Sequence, residues 1–377
     1  MSFTSLLTDV STESAYAVLP FYVTAVLGFG KDVLGLIEGV GEFMASLFKL
    51  LSGWIADRIR KYKVLALIGY GLSTITKPLL AFTSHWLHVL VVKAVDRVGK
   101  GVRTSPRDVL LSMSASSKTR GRAFGFHRSM DTVGAVLGPF LAFLLLPLVG
   151  FKGVFLFCFI PGFLAVLILW LFVREPKITG PKTLPKQTRE ATSIQGIPRS
   201  FWMFLTALGL TGLAGYTHAF LLIRATEIGW SQENAILLLT LANIVYAATA
   251  YPVGLLGDKI GHPKLYPMAF IIQALGALIV VYTNSYYWGL LYFILYGLYH
   301  GFNDTLMRVL TSYYVPRELR AKAYGYMHGT HGFTALTGYY IVGLLYENIG
   351  VQTAFMYTTI IALIGLIVST YLAVHQK

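Results

Sequence analysis

The sequence predicts an all-α integral membrane protein with twelve transmembrane helices in two six-helix bundles related by a pseudo-twofold axis. Three observations predict this class. Hydrophobic residues make up 55% of the 377 residues and charged residues only 13%, whereas soluble domains contain about 25% charged residues. Apolar stretches of about 20 residues, the length that crosses the hydrocarbon as a helix, follow one another along the chain. Short patterns from the first half recur in the second.

The predicted spans divide evenly around one polar segment. The first six are centred on Tyr16, Ala45, Tyr70, Lys100, Thr132 and Phe163, and the last six on Leu213, Ile244, Ala274, Gly301, Phe333 and Leu363. Four prolines and many basic and hydroxyl residues make residues 174–200 a poor helix and a flexible tether. We therefore expect one bundle at residues 1–173, a cytoplasmic linker at 174–200 and a second bundle at 201–377.

Basic residues are concentrated in alternate loops. The loops after the second, fourth, eighth and tenth spans hold Arg58, Arg60, Lys61, Lys63, Lys118, Arg120, Arg122, Lys259, Lys264, Arg317, Arg320 and Lys322. The other loops hold little beyond Lys31 and Lys152. Since positively charged loops stay in the cytoplasm, we expect both termini there, in a multi-pass protein of the cell membrane. This distribution also accounts for the net charge of +14 without nucleic-acid binding.

Two patterns occur in both halves. Gly53, Asp57 and Arg58 recur as Gly254, Asp258 and Lys259, and the segment 120–126 recurs as 320–326. Because each half has an even number of crossings, the two copies insert with the same orientation. Two parallel bundles of this kind are an architecture of secondary transporters.

Three local patterns lie at the second, fourth and fifth predicted helices. The loop after helix two contains Gly53, Asp57, Arg58, Lys61 and Lys63; helix four contains Arg97 and Gly101; helix five contains Gly125, Gly134, Gly138 and Pro139. Together they resemble the motifs of the major facilitator superfamily over essentially the whole chain. Arg60 and Ala142 stand where the family has glycine, although the second copy of the loop keeps Gly261, and Lys100 and Arg103 add two charges to the helix-four motif.

The resemblance implies a transporter that works by alternating access. Within the family, the helix-five pattern is associated with exporters that exchange substrate for protons, so the resemblance favours proton-coupled antiport and efflux. It also assigns the gating residues, which are Asp57, Arg58, Asp258, Lys259, Gly134, Gly138 and Pro139. Asp57 at the end of helix two would act as a latch by attracting Arg58 or a facing helix N-terminus.

Charged side chains within the predicted spans are the candidates for proton coupling. A charge in lipid costs several kcal/mol unless it faces a cavity or a partner, so such residues mark a pathway by default. The candidates are the carboxylates Asp9, Glu13 and Asp131, followed by Glu38 and Glu42, with Arg97 as cationic partner and His127 as relay. The alternative is that these residues form static ion pairs that hold the first bundle together.

Substrate contacts are expected from both halves. The candidates are Lys77 and Arg103 in the first half and Tyr216, Asn243, Tyr246, His300, Asn303 and His331 in the second. Asp304 and Arg308 are four residues apart and are expected to pair with each other. The expected partners are a small-molecule substrate, protons and the lipid bilayer, with a monomeric protein and no cofactor.

Other functions stay open or are disfavoured. Unpaired Lys49, Lys77, Arg97 and Arg103 would suit proton-coupled uptake of an anionic metabolite. His300, His328 and His331 offer ligands for a divalent metal, but no tight ligand spacing accompanies them, so no metal site is assigned. An enzyme is disfavoured because no nucleophile and base are suitably spaced, and the chain has no phosphate-binding loop for nucleotide-driven transport.

Overall fold

The computed structural model describes residues 1–115, 119–175, 197–282, 284–316 and 319–375, without the side chains of Asp57, Arg120, Gly121 and Ala321. Every regular element in these ranges is helical. The first half contains α1 (Ser2–Phe21), extended by a wider π-helical turn at Tyr22–Val26, then α2 (Lys31–Ile59), α3 (Tyr62–Leu79), α4 (Trp86–Met113), α5 (Arg120–Phe157) and α6 (Phe159–Phe172).

The second half has the same order of long helices. It contains α7 (Arg199–Leu213), α8 (His218–Glu227), α9 (Gln232–Ile260), α10 (His262–Tyr282), α11 (Trp288–Tyr313), α12 (Arg320–Asn348) and α13 (Val351–Val374). α7 and α8 form one crossing that is interrupted at residues 214–217, where the Thr217 hydroxyl accepts a hydrogen bond from the amide of Ala219 and caps α8.

α5 contains a sharp break. Gly150 has φ 65° and ψ −178°, values that no helical residue adopts, so the chain reverses there and α5 and α6 together make two crossings. With this division the described helices make twelve passes. Each predicted span centre lies on a different pass, which confirms the all-helical fold class.

Six helical segments are apolar and long enough to span a membrane by composition alone. They are Tyr62–Phe82, Arg122–Phe172, Arg199–Glu227, Gln232–Ile260, His262–Tyr282 and Val351–Val374. The long helices outside this set are α1, α2, α4, α11 and α12, which are richer in charged, polar and tyrosine residues. These more polar helices surround the centre of the molecule.

The turn after α2 has a conformation that the sequence pattern explains. Arg60 ends α2 in the left-handed region with φ 54°. Gly261 ends α9, the corresponding helix of the second half, with φ 97°. Left-handed backbone strains a residue that carries a Cβ atom and is easy for glycine. The two loops therefore turn at the same position, and only the second has the residue best suited to it.

The two ends of the molecule differ in packing. The terminal end, which holds Ser2 and Val374, has separate apolar cores in the first and second halves. The far end, which holds Lys31, Glu227 and Glu347, has one continuous core to which both halves contribute, including Tyr22 and Phe220. Contacts between the halves run along α2 with α12 and along α5 with α9. The halves thus share one apolar core at the far end, whereas at the terminal end each half has its own core.

Candidate functional site

A cavity of about 410 Å³ lies between the two halves. Its walls are formed by α1, α2, α4 and α5 on one side and by α7, α8, α9, α11 and α12 on the other. Thirteen residues expected from the sequence to couple protons or bind substrate line it: Asp9, Glu13, Glu38, Glu42, Arg97, Arg103, Asp131, Tyr216, Asn243, Tyr246, His300, Asn303 and His331. Residues that are distant in the sequence are therefore collected around one space.

Two of the expected residues do not line the cavity. His127 is buried beside it, with Nε2 3.7 Å from Asp131 Oδ2. Lys77 is fully buried, and its ammonium lies 3.4 Å from Asp96 Oδ1. The ammonium also donates to the backbone oxygen of Ser73 at 2.7 Å. In this conformation Lys77 is therefore a structural cation and does not reach a substrate in the cavity.

Asp96 is the centre of a fully buried polar cluster in the first half. It accepts 2.5 Å hydrogen bonds from the hydroxyls of Tyr16 and Ser73, in addition to the ion pair with Lys77. α1, α3 and α4 each supply one or more of these groups, so the cluster fastens three helices together. A buried carboxylate with this many donors is stable only as a satisfied unit.

A second buried pair lies one turn away. Lys93 Nζ is 2.5 Å from Glu38 Oε1, and both side chains are almost fully buried. The Tyr16 ring contacts two cations, because Lys93 Nζ and the Arg97 guanidinium carbon each lie 4.5 Å from its centroid. The sequence predicts that Glu38 couples protons. In the structure Glu38 lines the cavity and also forms the ion pair with Lys93.

A third cluster surrounds Asp131 on α5. Its Oδ2 lies 4.0 Å from Arg107, 3.9 Å from Arg128 and 3.7 Å from His127. Asp9 is held more loosely, with Oδ1 3.9 Å from Arg103. These separations are longer than hydrogen bonds, so the carboxylates are attracted by the cations without being locked to them. Both carboxylates remain accessible from the cavity.

A polar bridge joins the two halves across the cavity. Arg128 on α5 donates a 2.5 Å hydrogen bond to the hydroxyl of Tyr246 on α9, and this hydroxyl lies 3.4 Å from Asp304 Oδ2 on α11. Asn243 on α9 also donates to the backbone oxygen of Ala135 at 2.7 Å. Asp304 lies 3.9 Å from His300, and the expected pair with Arg308 does not form among the described side chains. The side chain of Asp304 lies beside His300, one helical turn earlier, rather than beside Arg308, one helical turn later.

The glycines of α5 place α1 against the cavity. A Cβ atom on Gly134 would lie 2.6 Å from the backbone oxygen of Leu6, and one on Gly138 would lie 2.6 Å from the Cβ of Glu13. Ser14 donates to the backbone oxygen of Gly138 at 2.8 Å. α1 and α5 can approach this closely only because both residues lack side chains. The buried Pro139 follows in the same helix.

The comparisons with known proteins agree with this architecture. The family model described as Major Facilitator Superfamily matches residues 1–224 and again residues 204–376. The chain belongs to this family. An uncharacterized MFS-type transporter of Methanocaldococcus jannaschii is 31% identical over 373 residues, which cover 97% of this chain and 92% of the relative. The multi-drug resistance efflux pump PmrA of Streptococcus pneumoniae is 24% identical and covers 79% of this chain, with 76% of the relative matched.

Solved structures show the same fold. The nucleoside transporter NupG, as a D323A mutant, has a TM-score of 0.80 at 16% identity and covers all of this chain and 98% of its own. A bacterial homolog of the human lysosomal transporter Spinster has a TM-score of 0.81 at 15% identity, over 99% of this chain and 96% of its own. The protein is thus a multi-pass membrane transporter of the major facilitator superfamily.

Six charged side chains of the transporter face the cavity without an ion pair. Among the residues that the structure describes, Glu13, Glu42, Lys49, Arg97, Lys100 and Arg308 have no oppositely charged group within 4.0 Å. The sequence analysis names Lys49 only for the alternative of anion uptake, and it assigns no site role to Lys100 or Arg308. The positive stripe on the fourth helix pointed to Lys100, but only the folded chain shows which of its members stay unpaired.

The gating residues expected from the loop motif lie at the terminal end. The side chain of Asp57 lies outside the described residues. Arg58 stacks on Trp54 with 5.3 Å between the guanidinium carbon and the ring centroid. In the second copy, Asp258 is exposed and lies 3.5 Å from His262, and Lys259 is exposed. The latch function of these loops stays a prediction.

The far end has ionic contacts that sequence reasoning missed. Lys31 at the start of α2 lies 3.5 Å from Glu227 and 3.8 Å from Glu347, and its amide donates to Glu347 at 2.9 Å. Tyr346 donates to Glu227 at 2.7 Å. The sequence places Lys31 only in a sparsely charged loop, because nothing in it indicates contact with residues about 200 and 300 positions away. These contacts close the far end above the joint core.

Metal-binding groups are not collected in the described parts of the chain. No three histidine, cysteine, aspartate or glutamate side chains there are placed to share a metal ion. His300 is taken up by Asp304 and by the ring of Tyr296, whose centroid is 4.4 Å away. The metal-transport alternative therefore has no geometric support.

Proposed function

We propose that this protein is a proton-coupled secondary transporter that moves a small organic solute across the cytoplasmic membrane by alternating access. One observation carries the proposal: the central cavity is bordered by titratable side chains, sealed at the far end by a core common to both halves, and flanked at the terminal end by separate cores. Rocking of the bundles at residues 1–173 and 201–377 would expose the same charges to the opposite side.

The orientation follows from the loop charges. Basic residues cluster in the loops at the terminal end, so we place both termini and the linker at 174–200 in the cytoplasm. The cavity in the described conformation then faces the cytoplasm. The transport unit is a monomer in this proposal, because the cavity is completed within one chain.

Exchange with protons is the first form of coupling. It is supported by the close packing of Gly134 and Gly138 of α5 against α1, the helix that carries Asp9 and Glu13. It is also supported by the name of the distant relative PmrA, a multi-drug efflux pump. In this form a proton on Asp9, Glu13 or Asp131 and the substrate occupy the cavity in turn. Protons flowing inward then drive the substrate outward.

Cotransport with protons is the second form. The observation that favours it is the excess of unpaired cations over unpaired carboxylates in the cavity wall. An anionic solute would bind most tightly when nearby carboxylates carry protons, because protonation removes their repulsion. Solute and protons then cross in the same direction, as in the uptake of an anionic metabolite.

Reconstitution into liposomes that contain a pH-sensitive dye tests the proposal and separates the two forms. With an imposed pH gradient, ethidium as an exchange probe and benzoate as a cotransport probe are added in turn. We expect one probe to accelerate proton flux through the wild type and not through the variant Asp131→Asn. Proton flux that neither probe changes, in either protein, would contradict the proposed coupling.

A further inference from the structure

We infer that the cargo is an organic anion whose acidic group binds among Lys49, Arg97, Lys100 and Arg308, here named the cation cluster. The inference rests on the proposed transport function, names the class of cargo and selects the cotransport form. It starts from the charges that face the cavity.

Three of the six carboxylates around the cavity are already neutralised. Asp9 faces Arg103, Glu38 faces Lys93, and Asp131 faces Arg107 and Arg128. Asp304 contacts His300 and Tyr246, which carry no formal charge, so the charge of Asp304 is not cancelled by them. In the part of the chain that is described, Glu13, Glu42 and Asp304 then remain to balance the four members of the cation cluster. The cavity wall thus has an excess of one positive charge, since its seven lysine and arginine side chains outnumber its six carboxylates.

The members of the cation cluster are close enough to repel one another. The ammonium of Lys49 is repelled by Lys100, Arg308 and Arg97. Lys100 is repelled in turn by Arg97. The cluster draws on both halves, since Arg308 lies on α11 and the other three lie on α2 and α4.

Glu42 is the internal counter-ion of the cluster. It is attracted by Lys49, Arg97 and Lys100, and also faces His331. One carboxylate cannot neutralise four cations, and none of these attractions is a contact within 4.0 Å among the described groups. Unbalanced charge in a membrane interior is unfavourable unless water or a ligand compensates it. An anionic cargo supplies that compensation.

Arg97 is held in a position suited to an acidic group. Its guanidinium stacks on Tyr16, and its side-chain stem passes over Gly41, where a Cβ atom would lie 3.4 Å from Arg97 Cγ. Arg97 lines the cavity, and its buried Nε has no hydrogen-bond partner among the described groups. A planar guanidinium fork binds carboxylate and phosphate groups with two parallel hydrogen bonds.

The opposite wall suits an organic body. Tyr216, Tyr296, Tyr299 and Tyr339 line the second half of the cavity. The ring centroids of Tyr216 and Tyr296 lie 5.9 Å apart, and the His300 ring lies 4.4 Å from that of Tyr296 and 5.1 Å from that of Tyr299. Aromatic walls of this kind contact apolar and ring-shaped groups. An inorganic anion would leave that wall without a partner.

The direction of coupling follows from the same charges. A cargo anion beside Glu42 or Glu13 repels the ionised carboxylate and so favours its protonation. By reciprocity, a proton on either carboxylate strengthens the binding of the anion. The loaded carrier therefore holds cargo and proton together.

A pair of ligands with the same shape and opposite charge tests the inference. Thermal unfolding of the protein in lipid nanodiscs is followed with phenyl phosphate, benzoate, inorganic phosphate and benzylamine as probes at constant ionic strength. We expect saturable stabilisation by phenyl phosphate or benzoate and none by benzylamine. Stabilisation by benzylamine, or by neither organic anion, would overturn the inference. Equal affinity for inorganic phosphate would overturn its organic part.

Single-charge variants locate the effect. Lys100→Gln and Lys49→Gln each remove one of four mutually repelling charges, so the empty protein should remain folded and the affinity for the effective anion should fall about tenfold, the loss of one charge-assisted hydrogen bond. The matched control is Lys152→Gln, which removes an exposed cation outside the cavity. An equal loss in the control, or full affinity in both cavity variants, would contradict the assignment.

The failure of the inference is distinguishable from failure of the transport function. If ethidium stimulates proton flux and no anion binds, the proton-coupled transport function stands and the inference of an anionic cargo is rejected. If anion binding depends on Lys100 and the anion does not change proton flux, the inferred binding site stands and the proposed proton coupling is rejected.

Discussion

The buried charges of this transporter are of two kinds, and the difference between them shows what each is for. Lys77 and Asp96 are in contact, dry and surrounded by donors. Glu13 and Lys100 face the cavity and have no ion pair among the described side chains. All four lie on α1, α3 or α4, and all four look alike in the sequence. Packing therefore divides the same residue types into charges that hold helices together and charges left for a ligand or a proton.

The largest expected effect comes from breaking the buried ion pair between Lys77 and Asp96. Asp96→Asn leaves the fully buried ammonium of Lys77 without a counter-ion, and removal of one partner of a buried pair costs about 3–5 kcal/mol. We expect a corresponding fall in the free energy of unfolding, measured by denaturation with sodium dodecyl sulfate. The double variant Lys77→Met with Asp96→Asn removes both charges and should recover much of the loss. A single variant as stable as the wild type would show that the pair is not structural.

The next largest effect concerns the contact that places α1 beside the cavity. Gly138→Val would bring a Cβ atom within 2.6 Å of the Glu13 side chain, and overpacking of this kind costs about 1–3 kcal/mol. We expect lower stability and loss of proton-coupled flux. The control is Gly71→Val on α3, where a Cβ atom would meet nothing within 4 Å. Equal effects of the two variants would mean that the loss reflects helix propensity rather than the contact with α1.

A smaller effect is expected at the far end. Lys31→Gln removes partly exposed ion pairs with Glu227 and Glu347, which are worth about 0.2–1 kcal/mol. That free energy is still large enough to shift a balance between two conformations. We expect faster labelling of a cysteine placed at Ile37, which is buried in the joint core, by a membrane-impermeant maleimide. Unchanged labelling would show that the apolar core alone keeps the far end closed.

The fold followed from the sequence because its determinants are local. Span length, loop charge and the repeat around Asp57 and Asp258 each depend on neighbouring residues, and the family match confirmed the class that they predicted. The line between the bundles was placed at a proline-rich segment, most of which lies outside the described residues, so those boundaries stay predictions.

The site was harder to predict, because pairing depends on neighbours across helices. The sequence indicated that Asp9, Glu13 and Asp131 should face a pathway, and all three line the cavity. It could not show that Lys77 would pair with Asp96, or that Asp304 would lie beside His300 instead of Arg308. These outcomes depend on rotamers and helix rotations, which residue spacing along one helix does not determine.

The smallest expected effect on stability is also the sharpest test of the comparison. Glu13 faces the cavity without an ion pair in the described part of the chain, so Glu13→Gln should change the free energy of unfolding by less than about 0.5 kcal/mol. If Glu13 carries the coupled proton, the same variant should lose the dependence of solute flux on the pH gradient while keeping solute exchange at equal pH. Flux assays in liposomes measure both properties on one preparation. A variant that unfolds as readily as Asp96→Asn would place Glu13 with the structural charges, whereas an unaltered pH dependence would leave coupling to Asp9, Glu42 or Asp131.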